Sequence, residues 1–197
     1  MEVGSDSIYV MSNEAQVQVG MSHYPNDSPA PTLIVFSGLP GVGKSTIARE
    51  LAREIDAVYL RIDSIEQALR DSAALVEPMN DAGYRVAYAL AGDNLALGLT
   101  VVADCVNPIS ITRDAWREIA DRLGVHALEV EVRCSDVTEH RRRVESREAD
   151  VPGLVPPTWE EVAARQYHPW DRDHVVVDTA KQAPEQIVRS IREMLNA

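Results

Sequence analysis

The sequence feature that most constrains the fold is a glycine-rich turn between a short apolar run and a helical pattern. Residues 33–37 read as a buried strand, and residues 47–54 have the composition of a helix. The turn between them is Gly38-Leu39-Pro40-Gly41-Val42-Gly43-Lys44-Ser45-Thr46. Its spacing, G-x-x-x-x-G-K-[ST], is typical of a loop whose backbone N–H groups surround phosphate oxygens. The alternative is an ordinary glycine-rich turn between a strand and a helix.

Each residue type in this turn suits an anion. The glycines allow backbone conformations that other residues avoid, and Pro40 stiffens the turn. Lys44 can reach the β- and γ-phosphates of a nucleotide, and the Ser45 hydroxyl can bind Mg²⁺. The N–H groups that open the next helix also favour negative charge, and Thr46 supports that helix start. We therefore predict that ATP and Mg²⁺ bind at Gly38, Pro40, Gly41, Val42, Gly43, Lys44, Ser45 and Thr46.

Length and composition exclude several classes of protein. The 197 residues suffice for one α/β domain, and 45% of them are hydrophobic. No apolar run approaches the roughly 18 residues of a membrane span, and no signal-peptide pattern opens the chain. The net charge of -12 argues against a general nucleic-acid or anionic-membrane binder. We expect a cytoplasmic monomer or homodimer, with Cys105 and Cys134 as structural thiols.

Two parts of the chain differ in composition. Residues 1–31 contain no Lys or Arg and end in a Pro/Ser/Asn cluster, which predicts a poorly ordered acidic tail and linker. Weak alternation at residues 8–19 leaves a short edge strand or a partner-binding segment as alternatives. Residues 32–197 are predicted to form one domain.

Strand and helix patterns alternate regularly within that domain. The predicted strands are 33–37, 57–62, 99–103, 125–133 and 174–178. The predicted helices are 44–54, 64–71 with a cap at Ser64, 82–97, 111–123, 136–147, 158–166 and 183–196, with a loop at 72–81. This order predicts a five-stranded parallel sheet with helices on both faces.

Candidate catalytic residues follow the second and third predicted strands. Ligands of open parallel sheets bind beyond the carboxyl ends of the strands, where the phosphate loop also lies. Asp63 can accept the proton of a hydroxyl that attacks the γ-phosphate, or only cap the next helix. Asp104 can hold a Mg²⁺-bound water, or cap a helix. Asn107 can contact substrate, or only shape the turn before Pro108.

Two arginines precede a segment rich in Gly and Pro, which we predict to be a mobile lid. Arg143 and Arg147 are four residues apart on one predicted helix face, and the Gly/Pro-rich residues 148–157 follow. Arginines that close over a nucleotide stabilise the charge of a transferring phosphoryl group. The alternative is a solvated face on which these arginines pair with nearby glutamates. For the aromatic segment 167–171, packing against the last strand is favoured over ligand stacking.

Taken together, these residues resemble the small P-loop kinase-like proteins often described as AAA-domain ATPases or predicted kinases, relatives of gluconate kinase and of the polynucleotide kinase domain. The resemblance covers about residues 33–178. It rests on the phosphate loop, the Arg143/Arg147 pair and three short stretches, which are Arg61-Ile62-Asp63-Ser64-Ile65-Glu66, Asp81-Ala82-Gly83-Tyr84 and Val102-Ala103-Asp104-Cys105-Val106-Asn107-Pro108.

The resemblance implies a nucleoside-monophosphate-kinase-like fold with a lid, Mg-ATP as donor and Asp63 as general base. It places Lys44, Arg143 and Arg147 on the donor phosphates. Acceptors of such kinases usually bind near residues 79–85, which makes Tyr84 and Arg85 substrate candidates beside Asp63 and Asn107. The acceptor itself is not fixed, since relatives phosphorylate sugars, nucleosides, antibiotics and nucleic-acid ends.

We therefore predict a kinase that moves the γ-phosphate of Mg-ATP to a hydroxyl of a small molecule. The alternative from a different class is an ATP-binding or slowly hydrolysing regulatory protein. Phosphorylation of nucleic-acid 5′ ends is disfavoured by the net charge.

Overall fold

The computed structural model of the chain describes residues 30–72 and 79–196. Within these ranges the chain forms five strands and seven helices. The strands are β1 (Thr32–Ser37), β2 (Val58–Arg61), β3 (Val101–Asp104), β4 (His126–Arg133) and β5 (Val175–Asp178). The helices are α1 (Lys44–Glu54), α2 (Ile62–Asp71), α3 (Ala82–Ala96), α4 (Ser110–Leu123), α5 (Val137–Ser146), α6 (Trp159–Ala163) and α7 (Pro184–Leu195).

The five strands form one sheet in the order β2-β3-β1-β4-β5, and every neighbouring pair is parallel. The predicted α/β fold with a five-stranded parallel sheet is confirmed. β1 is the central strand, and its residues Leu33, Ile34, Val35 and Phe36 are fully buried. Side chains on both faces of this strand therefore have to be apolar, which is why the run lacks the alternation of a half-exposed strand.

Helices cover both faces of the sheet and create two hydrophobic cores. One core joins Ile34 and Phe36 of β1 to α1 and α7. The other joins Leu33 and Val35 to α3 and α4, with Trp116 of α4 almost fully buried. Because both faces are covered, the carboxyl edge of the sheet is left for the loops that build a site.

The start of α2 differs from the prediction. We expected a strand through residue 62 and a helix capped by Ser64, but α2 begins directly at Ile62. Arg61 is still extended, with φ -111° and ψ 119°, and occupies the N-cap position. Asp63 consequently lies in the first turn of α2 rather than between the strand and the helix.

Other boundaries differ by a few residues. α6 is shorter than the predicted helix 158–166, and Thr158 and Glu161 form a reciprocal capping box at its start. Most of the predicted tail and residues 73–78 of the predicted loop lie outside the described residues. Among the helices in the described ranges, none combines the length and the apolar character that a bilayer span requires.

Candidate functional site

The loop between β1 and α1 has a backbone that only glycine fits at two points. Gly38 and Gly41 have φ values of 141° and 82°, which side-chain-bearing residues rarely adopt. A Cβ atom on Gly38 would overlap the carbonyl oxygen of Val132 on β4. One on Gly41 would come within 2.5 Å of the Val144 side chain on α5. The loop is therefore pressed closely against β4 and α5.

Three neighbours hold the loop through its own backbone groups. The Gly38 N–H donates to the Val106 carbonyl at 3.1 Å. The buried His140 ring donates from Nε2 to the Pro40 carbonyl at 2.8 Å. The Thr179 hydroxyl, at the end of β5, donates to the Val42 carbonyl at 2.8 Å. Two loop carbonyls and one loop N–H are thus paired with groups outside the loop, which restrains its conformation.

Lys44 is almost completely buried at the start of α1. Its Nζ donates to the Leu39 carbonyl at 3.0 Å. Burial lowers the pKa of Lys44, while the charges of Asp104 and Asp63 oppose that shift. The charges of two carboxylates, Asp104 at the end of β3 and Asp63 in the first turn of α2, thus act on the ammonium group.

Asp104 ends β3 and is buried. Its Oδ2 accepts a hydrogen bond from the Tyr59 hydroxyl at 2.7 Å, and Arg61 Nε lies 3.9 Å from the same oxygen. Burial and the Asp104 charge raise the pKa of Tyr59, which keeps the phenol protonated and donating. Asp104 and Ser45 line the same cavity.

This pair fits Mg²⁺ by its chemistry. A hydroxyl and a carboxylate are hard oxygen ligands, and Mg²⁺ usually keeps several waters and phosphate oxygens besides one or two protein ligands. No group of three or more His, Cys, Asp or Glu side chains suited to a metal occurs within residues 30–72 and 79–196. The two residues could therefore hold a nucleotide-associated cation rather than a permanently caged one.

A cavity of about 910 Å³ joins the loop to the first turn of α2. Asp63 lines it, with its carboxylate 3.5 Å from Arg61 Nη2 and 4.0 Å from Arg147 Nη2. The structure thus brings the following predicted residues to one cavity: Pro40, Gly41, Gly43, Lys44, Ser45, Thr46, Asp63, Asp104, Arg143 and Arg147.

Arg143 and Arg147 reach this cavity from α5 and its C-terminal end. Arg143 donates to Glu139 at 2.7 Å, to the Thr179 hydroxyl at 2.9 Å and to the Thr179 carbonyl at 3.2 Å. The expected pairing with a glutamate therefore exists for Arg143, but the guanidinium also bridges α5 to the residue that holds the loop. Arg147 instead lies close to Asp63 and to Asp150.

The remaining substrate candidates lie elsewhere. Tyr84 and Asn107 are turned inwards: the Asn107 N–H donates to the Tyr84 hydroxyl at 2.9 Å, and the Asn107 side chain donates to the Ser37 hydroxyl at 3.0 Å. Arg85 has a side chain that is 76% exposed and lies 3.8 Å from Asp81. None of these three residues lines the cavity. Tyr84 and Asn107 support the base of the loop, and Arg85 belongs to the surface of α3.

The aromatic segment near residue 170 also packs internally. Trp170 stacks on His174 at 4.1 Å between ring centroids, next to β5. The buried Arg113 guanidinium lies over the Tyr167 and Trp170 rings and donates to the carbonyls of His168 and Pro169. These contacts support the packing interpretation; Tyr167, His168, Pro169 and Trp170 also line a second cavity, of about 640 Å³, together with Gly38 and Val42.

Sequence reasoning missed the polar face of α2 and the residues that meet it. Glu66, Gln67 and Arg70 line the cavity beside Asp63, at the i, i+3, i+4 and i+7 spacing of one helix face. The spacing of these polar residues could have identified this helix face from the sequence. Asp150 was not detectable, because its partners Arg49 and Arg61 lie 101 and 89 residues away.

Comparisons with known proteins concern the fold and the family. Among solved structures, the Mycobacterium tuberculosis APS kinase in complex with AMPPNP and APS is 19% identical with a TM-score of 0.66, covering 86% of this chain and 99% of that one. A gluconokinase from Sinorhizobium meliloti is 23% identical with a TM-score of 0.58, covering 86% and 93%. Kti12 from Chaetomium thermophilum, in complex with ADP-AlF3, is 21% identical with a TM-score of 0.62, covering 82% and 97%.

These similarities show a shared P-loop kinase-like fold. No curated protein sequence matched the chain. A family model described as "AAA domain" matches residues 33–169, which is more than half of the chain. The resemblance seen in the sequence motifs is therefore confirmed, and the chain belongs to this AAA-domain family of P-loop kinase-like proteins.

Proposed function

We propose that this protein is a kinase that transfers the γ-phosphate of Mg-ATP to a hydroxyl group of a small molecule. The observation that carries the proposal is the position of Asp63. Its carboxylate shares one cavity with the phosphate loop, and its charge acts on the buried Lys44. A carboxylate at this place can accept the proton of a hydroxyl as it attacks the phosphate.

The donor half of the reaction uses the residues around the loop. Lys44, Arg143 and Arg147 supply positive charge to the phosphates, and the N-terminus of α1 adds its N–H groups. Ser45 and Asp104 would hold Mg²⁺, which neutralises phosphate charge when bound. Tyr59 keeps the Asp104 carboxylate in place through its 2.7 Å hydrogen bond.

The part of the cavity around Asp63, where the acceptor would bind, is better suited to a compact aliphatic compound that carries hydroxyl groups. Among the described residues, no Phe, Tyr or Trp side chain lines the cavity. The side of the cavity around Asp63 instead offers Glu66, Gln67 and Arg70 as hydrogen-bonding groups. Proteins that bind nucleic-acid ends or single strands generally stack bases on aromatic rings. A sugar, polyol or amino sugar suits this surface better than a nucleoside or an oligonucleotide.

The test is an ATP-consumption and product screen across pooled sugars, polyols, amino sugars, nucleosides and oligonucleotides. Lys44→Ala serves as the blank. Asp63→Asn is expected to retain ATP binding and to lose transfer by about 10²-fold or more, the usual effect of removing a general base. Asp56→Asn is the matched control, since Asp56 is exposed outside the cavity and its φ of 51° suits asparagine.

The alternative predicts a different pattern. A regulatory ATP-binding protein would hydrolyse ATP without any acceptor, would need Lys44 and would be indifferent to Asp63→Asn. That pattern, with no phosphorylated product in any pool, would refute the kinase proposal.

A further inference from the structure

We propose that Arg61 is a positioning residue shared between the base and the lid: it pairs with Asp63 when the lid is open and is drawn away by Asp150 when the lid closes. The lid is the segment 148–157. The inference rests on the proposed function, because it concerns the residue that was proposed there as the base.

Arg61 holds the lid in the structure. Its side chain is only 5% exposed, at the end of β2. Nη1 donates to Asp150 Oδ2 and Nη2 donates to Asp150 Oδ1, both at 2.8 Å. Arg49 on α1 donates to Asp150 Oδ2 at 2.8 Å as well. Both oxygens of a lid carboxylate thus accept hydrogen bonds from arginine, and a bidentate arrangement is the strongest form of an arginine–carboxylate pair.

The same guanidinium group also faces the site. Nη2 lies 3.5 Å from the Asp63 carboxylate, and Nε lies 3.9 Å from that of Asp104. Of the described cations that lie within 4.0 Å of the Asp63 carboxylate, Arg147 is at 4.0 Å and Arg61 at 3.5 Å, so Arg61 is the nearer. Arg61 is therefore surrounded by three carboxylates and donates fully to only one of them.

A buried guanidinium group requires anionic partners. When Asp150 withdraws with the lid, the two N–H groups of Arg61 lose their acceptors, and leaving them unpaired is costly. Asp63 is the nearest remaining carboxylate and becomes the new acceptor. A carboxylate that accepts a charge-assisted hydrogen bond from arginine is a poorer proton acceptor.

Lid closure thereby frees the base. With Asp150 in place, Nη1 and Nη2 of Arg61 each donate to the lid, and Asp63, which lies 3.5 Å from Nη2, can turn to the acceptor hydroxyl. Proton acceptance is then effective only when the cavity is covered, which limits transfer to water while the lid is open.

The kinetic test uses the acceptor found in the screen and compares four proteins. Asp150→Asn, which offers one neutral acceptor in place of two charged ones, should lower kcat by about tenfold or more, with a smaller effect on the KM for ATP. Arg61→Gln combined with Asp150→Asn should regain most of that loss, because the group that covers Asp63 is gone. Asp56→Asn, exposed and outside the cavity, is the kinetic control. Glu148→Gln, which removes the same charge from the same lid without breaking an ion pair to a described residue, is the control for the exchange measurement.

A second readout does not depend on activity. Amide hydrogen exchange of residues 148–157 should become faster in Asp150→Asn, in Arg61→Gln and, to a smaller extent, in Arg49→Gln, and should stay unchanged in Glu148→Gln. Arg61→Lys keeps the charge but cannot grip both oxygens, so it should restore exchange protection only in part.

The outcomes separate the ideas. If the double variant is as slow as Asp150→Asn, Arg61 only anchors the lid and does not cover the base. If exchange in the lid is unchanged in Asp150→Asn, the anchor itself is refuted. If the wild-type protein forms no phosphorylated product, the kinase proposal and the covering of Asp63 fall together, while the exchange result still decides whether Arg61 holds the lid.

Discussion

Thr179→Val tests whether the phosphate loop is held rigid from outside. The Thr179 hydroxyl donates to the Val42 carbonyl at 2.8 Å and accepts from Arg143 Nη1 at 2.9 Å. Val42 and Thr179 are both buried. Valine has nearly the same shape as threonine but can neither donate nor accept, so the substitution removes these bonds without opening a cavity.

The expected loss of stability follows from the polar groups that lose a hydrogen-bond partner in Thr179→Val. Arg143 keeps the Thr179 carbonyl at 3.2 Å and Glu139 at 2.7 Å, so its loss is small. The Val42 carbonyl loses its donor, and a buried polar group without a partner costs about 1–3 kcal/mol. We expect the free energy of unfolding to fall by about 2 kcal/mol, which lowers Tm by about 4–8 °C for a chain of this length. The dissociation constant for ATP should rise, because the loop is no longer fixed in its binding conformation.

Denaturant and thermal unfolding of Thr179→Val measure the loss directly, and ATP titration measures the effect on the loop. Thr138→Val is the control, since Thr138 is exposed on α5. If Thr179→Val unfolds within about 0.5 kcal/mol of the wild type, the range of an ordinary surface substitution, the proposed role of this hydrogen bond is refuted.

Three further predictions address other parts of the site. Burial lowers the pKa of Lys44 from 10.5, so the unfolded chain binds this proton more tightly than the folded chain does. Without nucleotide, the free energy of unfolding should therefore rise as the pH increases towards 10.5, and Lys44→Met should remove that part of the pH dependence in urea unfolding. Gly83→Ala places a Cβ atom against Glu66 Cγ and should raise the KM for the acceptor but not the affinity for ATP, whereas Gly92→Ala on the same helix has room and should leave both unchanged. Arg113→Met leaves the buried Asn107 carbonyl and the partly buried carbonyls of His168 and Pro169 without their donor and should lower stability by about 3 kcal/mol in denaturant unfolding.

The fold could be predicted from the sequence because its strongest signals are local. Five apolar runs separated by helical patterns define a parallel sheet, and the glycine-rich turn fixes where the site lies. The position of Asp63 also followed from a general rule, since parallel strands bring their carboxyl ends to one edge. These inferences need no knowledge of which distant side chains touch.

The residues that sequence reasoning misplaced depend on contacts of another kind. Asn107 follows a strand, as Asp63 does, but its φ of 49° and its hydrogen bond to Ser37 turn it into the protein. Tyr84 accompanies it, since the Asn107 N–H donates to its hydroxyl. Neither the local sequence pattern nor the charge shows that the Asn107 side chain faces inwards, because its orientation depends on a hydrogen bond to a buried hydroxyl on another strand.

The central position of β1 in the sheet has a consequence for how the sequence of this protein can evolve. On one flank, β4 leads into α5, which carries Arg143, and β5 leads into Thr179; on the other flank, β2 leads into Asp63 and the polar face of α2. Under the proposed function, a lineage can therefore exchange side chains along α2, and with them the acceptor, without disturbing the flank that would hold ATP. Chimaeras that replace only residues 62–71 by those of a relative are the natural way to transfer acceptor choice between members of the family.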